Sequence, residues 1–153
     1  MKYIISQKID IDAPASFIFM VLTNLEKWPD WTGSVKKITR ISGDSFSTGS
    51  RYRVQQPGLL PAVWTVTSIR EKSSFSWEQK KTGLRLTAHH QIVPISSGGV
   101  TVHLSMVYEG ILAGLVYYLT AALTRRYLDL ELHGIRHECE RDVQEQVAIH
   151  KPG

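Results

Sequence analysis

Tyr3, Ile5, Gln7, Ile9 and Ile11 alternate with Ile4, Ser6, Lys8 and Asp10, the period-two pattern of a strand with one buried face. Asp12-Ala13-Pro14 interrupts the alternation. Proline suits the first turn of a helix, and Phe17, Met20, Val21 and Leu22 give the following residues an apolar side, so a short helix is expected over 14–23. A second is expected over 25–31, ending in Trp28-Pro29-Asp30-Trp31, where proline fixes the backbone and two indoles bring a large apolar area together. Two tryptophans in such a turn form either a ligand wall or a plug at the end of a core. The plug is the preferred reading, because Trp is usually well buried.

From Val35 onward β-rich runs alternate with turn clusters. Strands are expected over 35–41, 50–56, 62–70, 74–81, 84–95 and 100–109, punctuated by Ser42-Gly43-Asp44, Pro57-Gly58, Glu71-Lys72, Thr82-Gly83 and Ser97-Gly98-Gly99. Connections this short require antiparallel neighbours, since parallel ones need crossovers of about a dozen residues. The two longest strands show their faces. Leu84, Leu86, Ala88, His90 and Ile92 oppose Arg85, Thr87, His89, Gln91 and Val93, and Val100, Val102, Leu104, Met106 and Tyr108 oppose Thr101, His103, Ser105, Val107 and Glu109. One face of the sheet is therefore apolar and needs a cover, and about seven twisted strands are expected to curl.

The cover is the stretch 111–150, where helical periodicity runs for several turns without a proline. Thr124, Tyr127, Leu128, Glu131, Leu132, Gly134, Ile135, Cys139 and Val143 recur at three- and four-residue steps, while Arg125, Asp129, Arg136, Glu140 and Arg141 fall on the other side. At ~1.5 Å per residue the part from 124 to 147 is about 35 Å long, so only a broad sheet can bury its stripe. A curled sheet gripping such a helix leaves room for a cavity between them. The segment 111–123 is uncharged, follows Gly110, and carries Gly114 and the pair Tyr117-Tyr118. It is expected to act as a lid over that cavity, with a transient membrane-surface contact or a protein interface as the other readings.

The chain of 153 residues, 42% hydrophobic, is read as one domain, 1–153, able to build its core without staples. Its one cysteine, Cys139, falls on the buried side of the long helix, which leaves no disulfide framework and points to a cytoplasmic location and a structural thiol. The first residues lack the long apolar core and cleavage site of a signal peptide. The longest apolar run, about 13 residues over 111–123, is short of the ~20 that cross a bilayer as a helix. A formal charge of +4 and a pI near 9.3 raise the question of a nucleic-acid partner. The bases are scattered, however, as Lys36-Lys37, Arg51 and Arg53, Lys80-Lys81 and Arg125-Arg126, and Asp129, Glu140 and Glu145 stand four residues after Arg125, Arg136 and Arg141. No nucleic-acid partner is expected.

Taken together, Ile9-x-Ile11-x-Ala13-Pro14, Trp28-Pro29-x-Trp31, the run of strands, and Arg126-Tyr127-Leu128 with Glu131, Gly134 and Ile135 resemble the START-like (SRPBCC) superfamily of helix-grip domains. Within it they resemble the small bacterial polyketide cyclase/dehydrase-like and coenzyme Q-binding-like proteins. The resemblance covers nearly the whole chain. It implies an α+β helix-grip fold: a curved antiparallel sheet of about seven strands wrapped around a long C-terminal helix, two short helices after the first strand, and a hydrophobic pocket between sheet and helix. It does not imply one activity, since the superfamily includes lipid carriers, hormone receptors, cyclases, oxygenase subunits and chaperone cofactors. The cysteine and histidine cluster of the iron–sulfur oxygenase branch does not occur in this sequence.

His133-x-x-x-His137 puts two imidazoles on one helix face, but Gly134 stands where a zinc protease has its glutamate and no third ligand is evident. The stripe Asp129, His133, His137 and Arg141 reads as solvated, and neither a metal nor a cofactor is expected. No Gly-x-Ser-x-Gly elbow, phosphate loop or dinucleotide fingerprint occurs. Polar groups expected to look into the pocket are His90, Tyr108, Glu131 and Trp64, with Gln79 and Arg53, and buried polar groups need partners. The first functional reading is binding or transport of a hydrophobic small molecule, such as a lipid, isoprenoid or aromatic polyketide. Its cavity would be lined by Trp64, Trp77, Leu86, His90, Leu104, Met106, Tyr108, Leu128 and Ile135. The alternative is a cyclase or dehydratase in which His90 works as acid or base with Tyr108 or Glu131, set against the plainer reading of these residues as satisfied core groups. A third is a protein-interaction module of the chaperone-cofactor kind, which would expose large apolar patches.

Overall fold

The structure, a computed structural model, describes residues 1–150; 151–153 lie outside the described residues. β1 (Lys2–Ile11) leads into α1 (Ala15–Thr23) and a 3-10 turn (Leu25–Asp30). Six strands follow, β2 (Lys37–Ser42), β3 (Arg51–Gln55), β4 (Ala62–Arg70), β5 (Ser74–Lys81), β6 (Leu84–Pro94) and β7 (Val100–Glu109), and then the long helix α2 (Ala113–His150). The strands form one sheet in the order β1-β7-β6-β5-β4-β3-β2. β2 to β7 are an antiparallel meander, and β1 closes onto the last strand, with Ile5 opposite Met106 and Ile11 opposite Val100. Register breaks between Arg40 and Ser42 and between Val66 and Ser68 bend the far half of the sheet.

Several boundaries differ from those expected. Pro14 is the cap before α1 rather than part of its first turn, and its carbonyl takes the amides of Phe17 and Ile18 at 3.1 Å. The 3-10 turn stops at Asp30, short of Trp31. β2 begins at Lys37 and β3 spans only Arg51–Gln55. β6 ends at Pro94, which has no amide to extend the ladder, and Ile95 instead donates to Gly99 across the turn at 3.0 Å.

The larger correction concerns 111–123, which is not a separate lid. Its residues from Ala113 on are the first turns of a 38-residue helix that runs without a break into the charged half, about 57 Å at ~1.5 Å per residue. Those turns are fixed to the sheet. Ala113 and Ala121 are buried, Tyr117 stacks on Tyr3 with ring centres 4.9 Å apart, and Leu112 donates its amide to Gly83 at 2.9 Å. Gly110 makes the preceding turn at φ +115°, where a Cβ would also overlap the Gly83 carbonyl.

Ile5, Ile18, Leu22, Phe75, Val102, Leu132, Ile135 and Cys139 form the dry core. α2 lies over β1 and β7 and touches α1, so one half of the apolar sheet face is covered directly and the half made by β3 to β6 is not. Further along α2, Gly134 lets the helix close onto the turn before β2. A Cβ there would overlap the carbonyl oxygen of Trp31, a backbone atom that cannot swing away. Alanine is worth ~1 kcal/mol over glycine in an open helix. Gly134→Ala is nevertheless expected to lower stability by about 1–3 kcal/mol through overpacking, read as a fall of several degrees in thermal unfolding. A rise in melting temperature would show that helix and turn are not in contact.

Candidate functional site

Where α2 leaves the sheet uncovered there is a cavity of about 580 Å³, within the ~300–1,000 Å³ usual for small-molecule sites. Its floor is a set of cross-strand rows: His90 and Leu104; Trp77, Ala88 and Met106; Gln79, Leu86 and Tyr108. Ala88 sits between Trp77 and Met106 and has the shortest side chain of these rows. The helix contributes Val116, Thr120, Thr124, Tyr127, Leu128 and Glu131, one stripe at three- and four-residue steps. Leu59, Leu60, Lys81, Thr82 and Leu112 line the cavity and are also exposed, so they mark its mouth.

The interior is apolar except for a few groups. His90, 3% exposed, stacks on Phe75 with ring centres 4.1 Å apart, and its Nδ1 lies 3.3 Å from the Phe75 carbonyl oxygen. A carbonyl only accepts, so Nδ1 carries the proton and Nε2 keeps a lone pair with no protein partner among the described residues. Burial holds the imidazole neutral, lowering its pKa to about 3 despite the Phe75 bond. Glu131, 8% exposed, has no hydrogen-bond or ion-pair partner among the described residues, and desolvation alone raises its pKa to about 8. At neutral pH it is a carboxylic acid. Tyr108 is anchored instead: its hydroxyl lies 2.6 Å from Thr124 Oγ1 and 3.3 Å from Thr120 Oγ1. The Tyr127 hydroxyl is buried without a hydrogen-bond partner among the described residues.

The residues expected to line a cavity are largely brought together. Trp64, Trp77, Leu86, His90, Leu104, Met106, Tyr108 and Leu128 share it, together with Gln79 and Glu131. Ile135 does not. It is 1% exposed in the solid core, on the stretch of α2 that Gly134 brings down onto Trp31. Arg53 points the other way, exposed on the outer face between the buried Tyr52 and Val54. Trp28 is both plug and wall: it is buried, donates Nε1 to the Leu22 carbonyl at 2.9 Å, and lines the cavity. His90, Tyr108 and Glu131 all border the cavity, but no hydrogen bond joins any two of them among the described residues.

His133 and His137 stay on the exposed face of α2. The Cys139 thiol is pushed up to about 12, by burial first and then by Asp142, Glu138 and Glu140, so it is a protonated core group. Of the helix ion pairs expected at four-residue spacing, Arg136–Glu140 forms at 3.2 Å. Arg141 turns to Glu138 and Asp142, and Arg125 donates to the Tyr117 hydroxyl. No helix among the described residues is long and apolar enough to cross a membrane. Among the wall residues on α2, Val116 and Thr120 lie outside the stripe expected from sequence, and they continue Thr124 and Leu128 backward at steps of four.

A seven-stranded antiparallel sheet curved around a long C-terminal helix, with a cavity between them, is the START-like helix-grip fold. The model of the family described as polyketide cyclase/dehydrase and lipid transport matches residues 3–140, and the chain belongs to that family. Solved structures agree on the fold. An aromatase/cyclase from Streptomyces superposes with a TM-score of 0.75 at 14% identity, over 94% of this chain and 96% of that one. A START superfamily protein from Mycobacterium smegmatis gives 0.69 at 17%, over 88% and 97%. Norcoclaurine synthase from Thalictrum flavum, in complex with dopamine and hydroxybenzaldehyde, gives 0.68 at 16%, over 100% and 90%. At such identities the likeness shows the fold alone. No curated protein matches in sequence.

Proposed function

We propose that the protein binds an uncharged, mainly apolar small molecule that carries a hydroxyl or carbonyl group, with lipids, isoprenoids and aromatic polyketides as the fitting classes. The observation that carries this reading is the 580 Å³ cavity bordered by Glu131, His90 and Tyr127, where the Glu131 carboxyl, His90 Nε2 and the Tyr127 hydroxyl have no hydrogen-bond partner among the described residues. A buried polar group left unpaired costs ~1–3 kcal/mol, and a ligand that pairs it recovers that cost. The Glu131 acid donates one hydrogen bond and accepts another, and His90 Nε2 accepts one. Both groups are neutral at pH 7, so the interior holds no fixed charge to offset a charged ligand. The family description supports the same reading. Binding is favoured over cyclisation because Tyr108 is engaged by two threonines, and no hydrogen bond joins His90 to Tyr108 or Glu131 among the described residues.

A thermal-shift panel of fatty alcohols, fatty acids, isoprenoids, sterols and aromatic polyketides, with native mass spectrometry of the protein as purified, tests this. A ligand at a hundred times its dissociation constant stabilises by about 2.7 kcal/mol, a melting shift of roughly 5–10 °C for a chain of this size. Neutral alcohols are expected to outperform acids of the same chain length. An unmoved melting point across the panel, with no carried-over mass, would defeat the binding reading. Fatty acids outshifting the alcohols would defeat its neutral form.

A further inference from the structure

The first three turns of α2 have two apolar sides. One lines the cavity. The other carries Leu115, Tyr118 and Leu119, with Ile111 in the turn just before the helix, and it is bare to solvent: Ile111 is 93% exposed and Tyr118 84%. No charged residue occurs between 110 and 124, after which the outward face turns to Arg125, Arg126, Asp129 and His133. The loop between β3 and β4 adds exposed Leu59 and Leu60, and these, with Leu112, also line the mouth. Scattered exposed apolar residues need no explanation, but a contiguous set on the rim of an apolar cavity marks a contact surface.

We propose that this rim docks onto an anionic lipid bilayer, with the outward stripe of α2 lying in the headgroup region and the cavity mouth facing the acyl chains. The chemistry is that of an interfacial amphipathic helix, an apolar face bordered by cations. Arg125 and Arg126 follow the stripe, and Lys80 and Lys81 stand on the hairpin between β5 and β6, which Leu112 bonds at Gly83. Of the nearby acids, Glu78 is paired by Lys80 and Arg85 and Glu109 by Lys2, and Asp129 stands beside the arginines, so three carboxylates face the six cations Lys2, Lys80, Lys81, Arg85, Arg125 and Arg126. That leaves a net positive margin, which anionic headgroups attract. The same margin disfavours a second copy of the chain, because a two-fold contact through the stripe brings two like-charged rims together. A docked mouth also gives an apolar ligand a path that never crosses water. The proposal rests on the geometry of the mouth and not on which ligand fills the cavity.

Flotation of the full chain with vesicles tests it, using phosphatidylcholine alone and phosphatidylcholine mixed with phosphatidylglycerol, at low and high salt. Binding is expected to the mixed vesicles and to weaken with salt. Leu115→Gln combined with Leu119→Gln, neither residue lining the cavity, should reduce partitioning at least about tenfold with the melting temperature unchanged. Arg125→Ala with Arg126→Ala should reduce it on the anionic vesicles only. No partitioning of the wild type, or a double-leucine variant that partitions equally well, overturns the proposal. So does a concentration-dependent dimer in light scattering that the leucine substitutions abolish. Thermal-shift response of the same variant without vesicles separates the two readings: lost docking with retained ligand response supports docking as a distinct property. A wild type that partitions but answers to no ligand keeps the docking surface and removes only the ligand reading.

Discussion

Stability is expected to be highest between about pH 4.5 and 6.5 and to fall on both sides, with His90 and Glu131 responsible for opposite limbs. His90 goes from 6.5 in the unfolded chain to about 3 in the fold. Between those values the unfolded chain holds a proton that the fold lacks, so stability is lost as pH falls. Glu131 goes from 4.5 to about 8. Between those values the fold holds a proton that the unfolded chain lacks, so stability is lost as pH rises. From 4.5 to 6.5 the two slopes cancel. Below and above that window only one group acts, and at ~1.4 kcal/mol per pH unit each limb amounts to about 2 kcal/mol before the folded pKa is reached. Glu131→Gln keeps the size and polarity of the side chain and cannot ionise, so denaturant unfolding should show the alkaline limb gone. The variant should also be more stable than the wild type at pH 8.5 by several kcal/mol. Comparing variant with wild type at each pH removes the contribution of every other group. Identical curves from pH 6.5 to 8.5 would mean that the Glu131 carboxylate is ionised and compensated.

Period two and period 3.6 carried most of the fold. Strand faces are binary, so Leu86, Ala88, His90, Leu104, Met106 and Tyr108 could be assigned to one side from alternation alone, and the register rows confirm that they share it. Arg53 obeys the same rule, against the expectation that it looks into the pocket, since Tyr52 and Val54 alternate with it and take the inward positions. Ile135 marks a different limit. Helical spacing shows that a residue is buried but not what buries it, and whether a stripe meets open volume or solid core depends on the approach of Gly134 to Trp31, a contact across a hundred residues. The helix over 111–150 is legible because no proline interrupts it, but the attachment of its first turns to the sheet is not, because both of their sides are apolar and offer no contrast between the side that packs and the side left exposed. The burial of Glu131 follows from its place on the stripe. Its lack of a partner does not, because that depends on which side chains of β3 to β6 reach across the cavity.

Ala88→Phe should erase ligand binding while leaving the fold as stable as the wild type, or more so. Ala88 is buried on the cavity floor between Trp77 and Met106, and a ring there extends into open volume rather than into packed neighbours. Overpacking normally costs ~1–3 kcal/mol, but cavity filling commonly adds ~0.5–2 kcal/mol, and phenylalanine suits a strand better than alanine. The same ring takes the space beside Leu104, Met106 and Leu128 that a ligand body needs, so affinity should drop at least about a hundredfold, as expected when one steric overlap replaces a well-packed contact. A ligand that shifts the wild type by several degrees should then leave the variant unmoved at the same concentration. Leu128→Arg probes the same wall less cleanly, because Glu131 lies three residues on along α2 and can ionise to pair the guanidinium. The measurement is a thermal-shift titration of both proteins side by side, with Ala88→Leu as the smaller fill should the ring prove too large. Both fills retaining the full ligand shift would place the ligand outside the space between the sheet and α2.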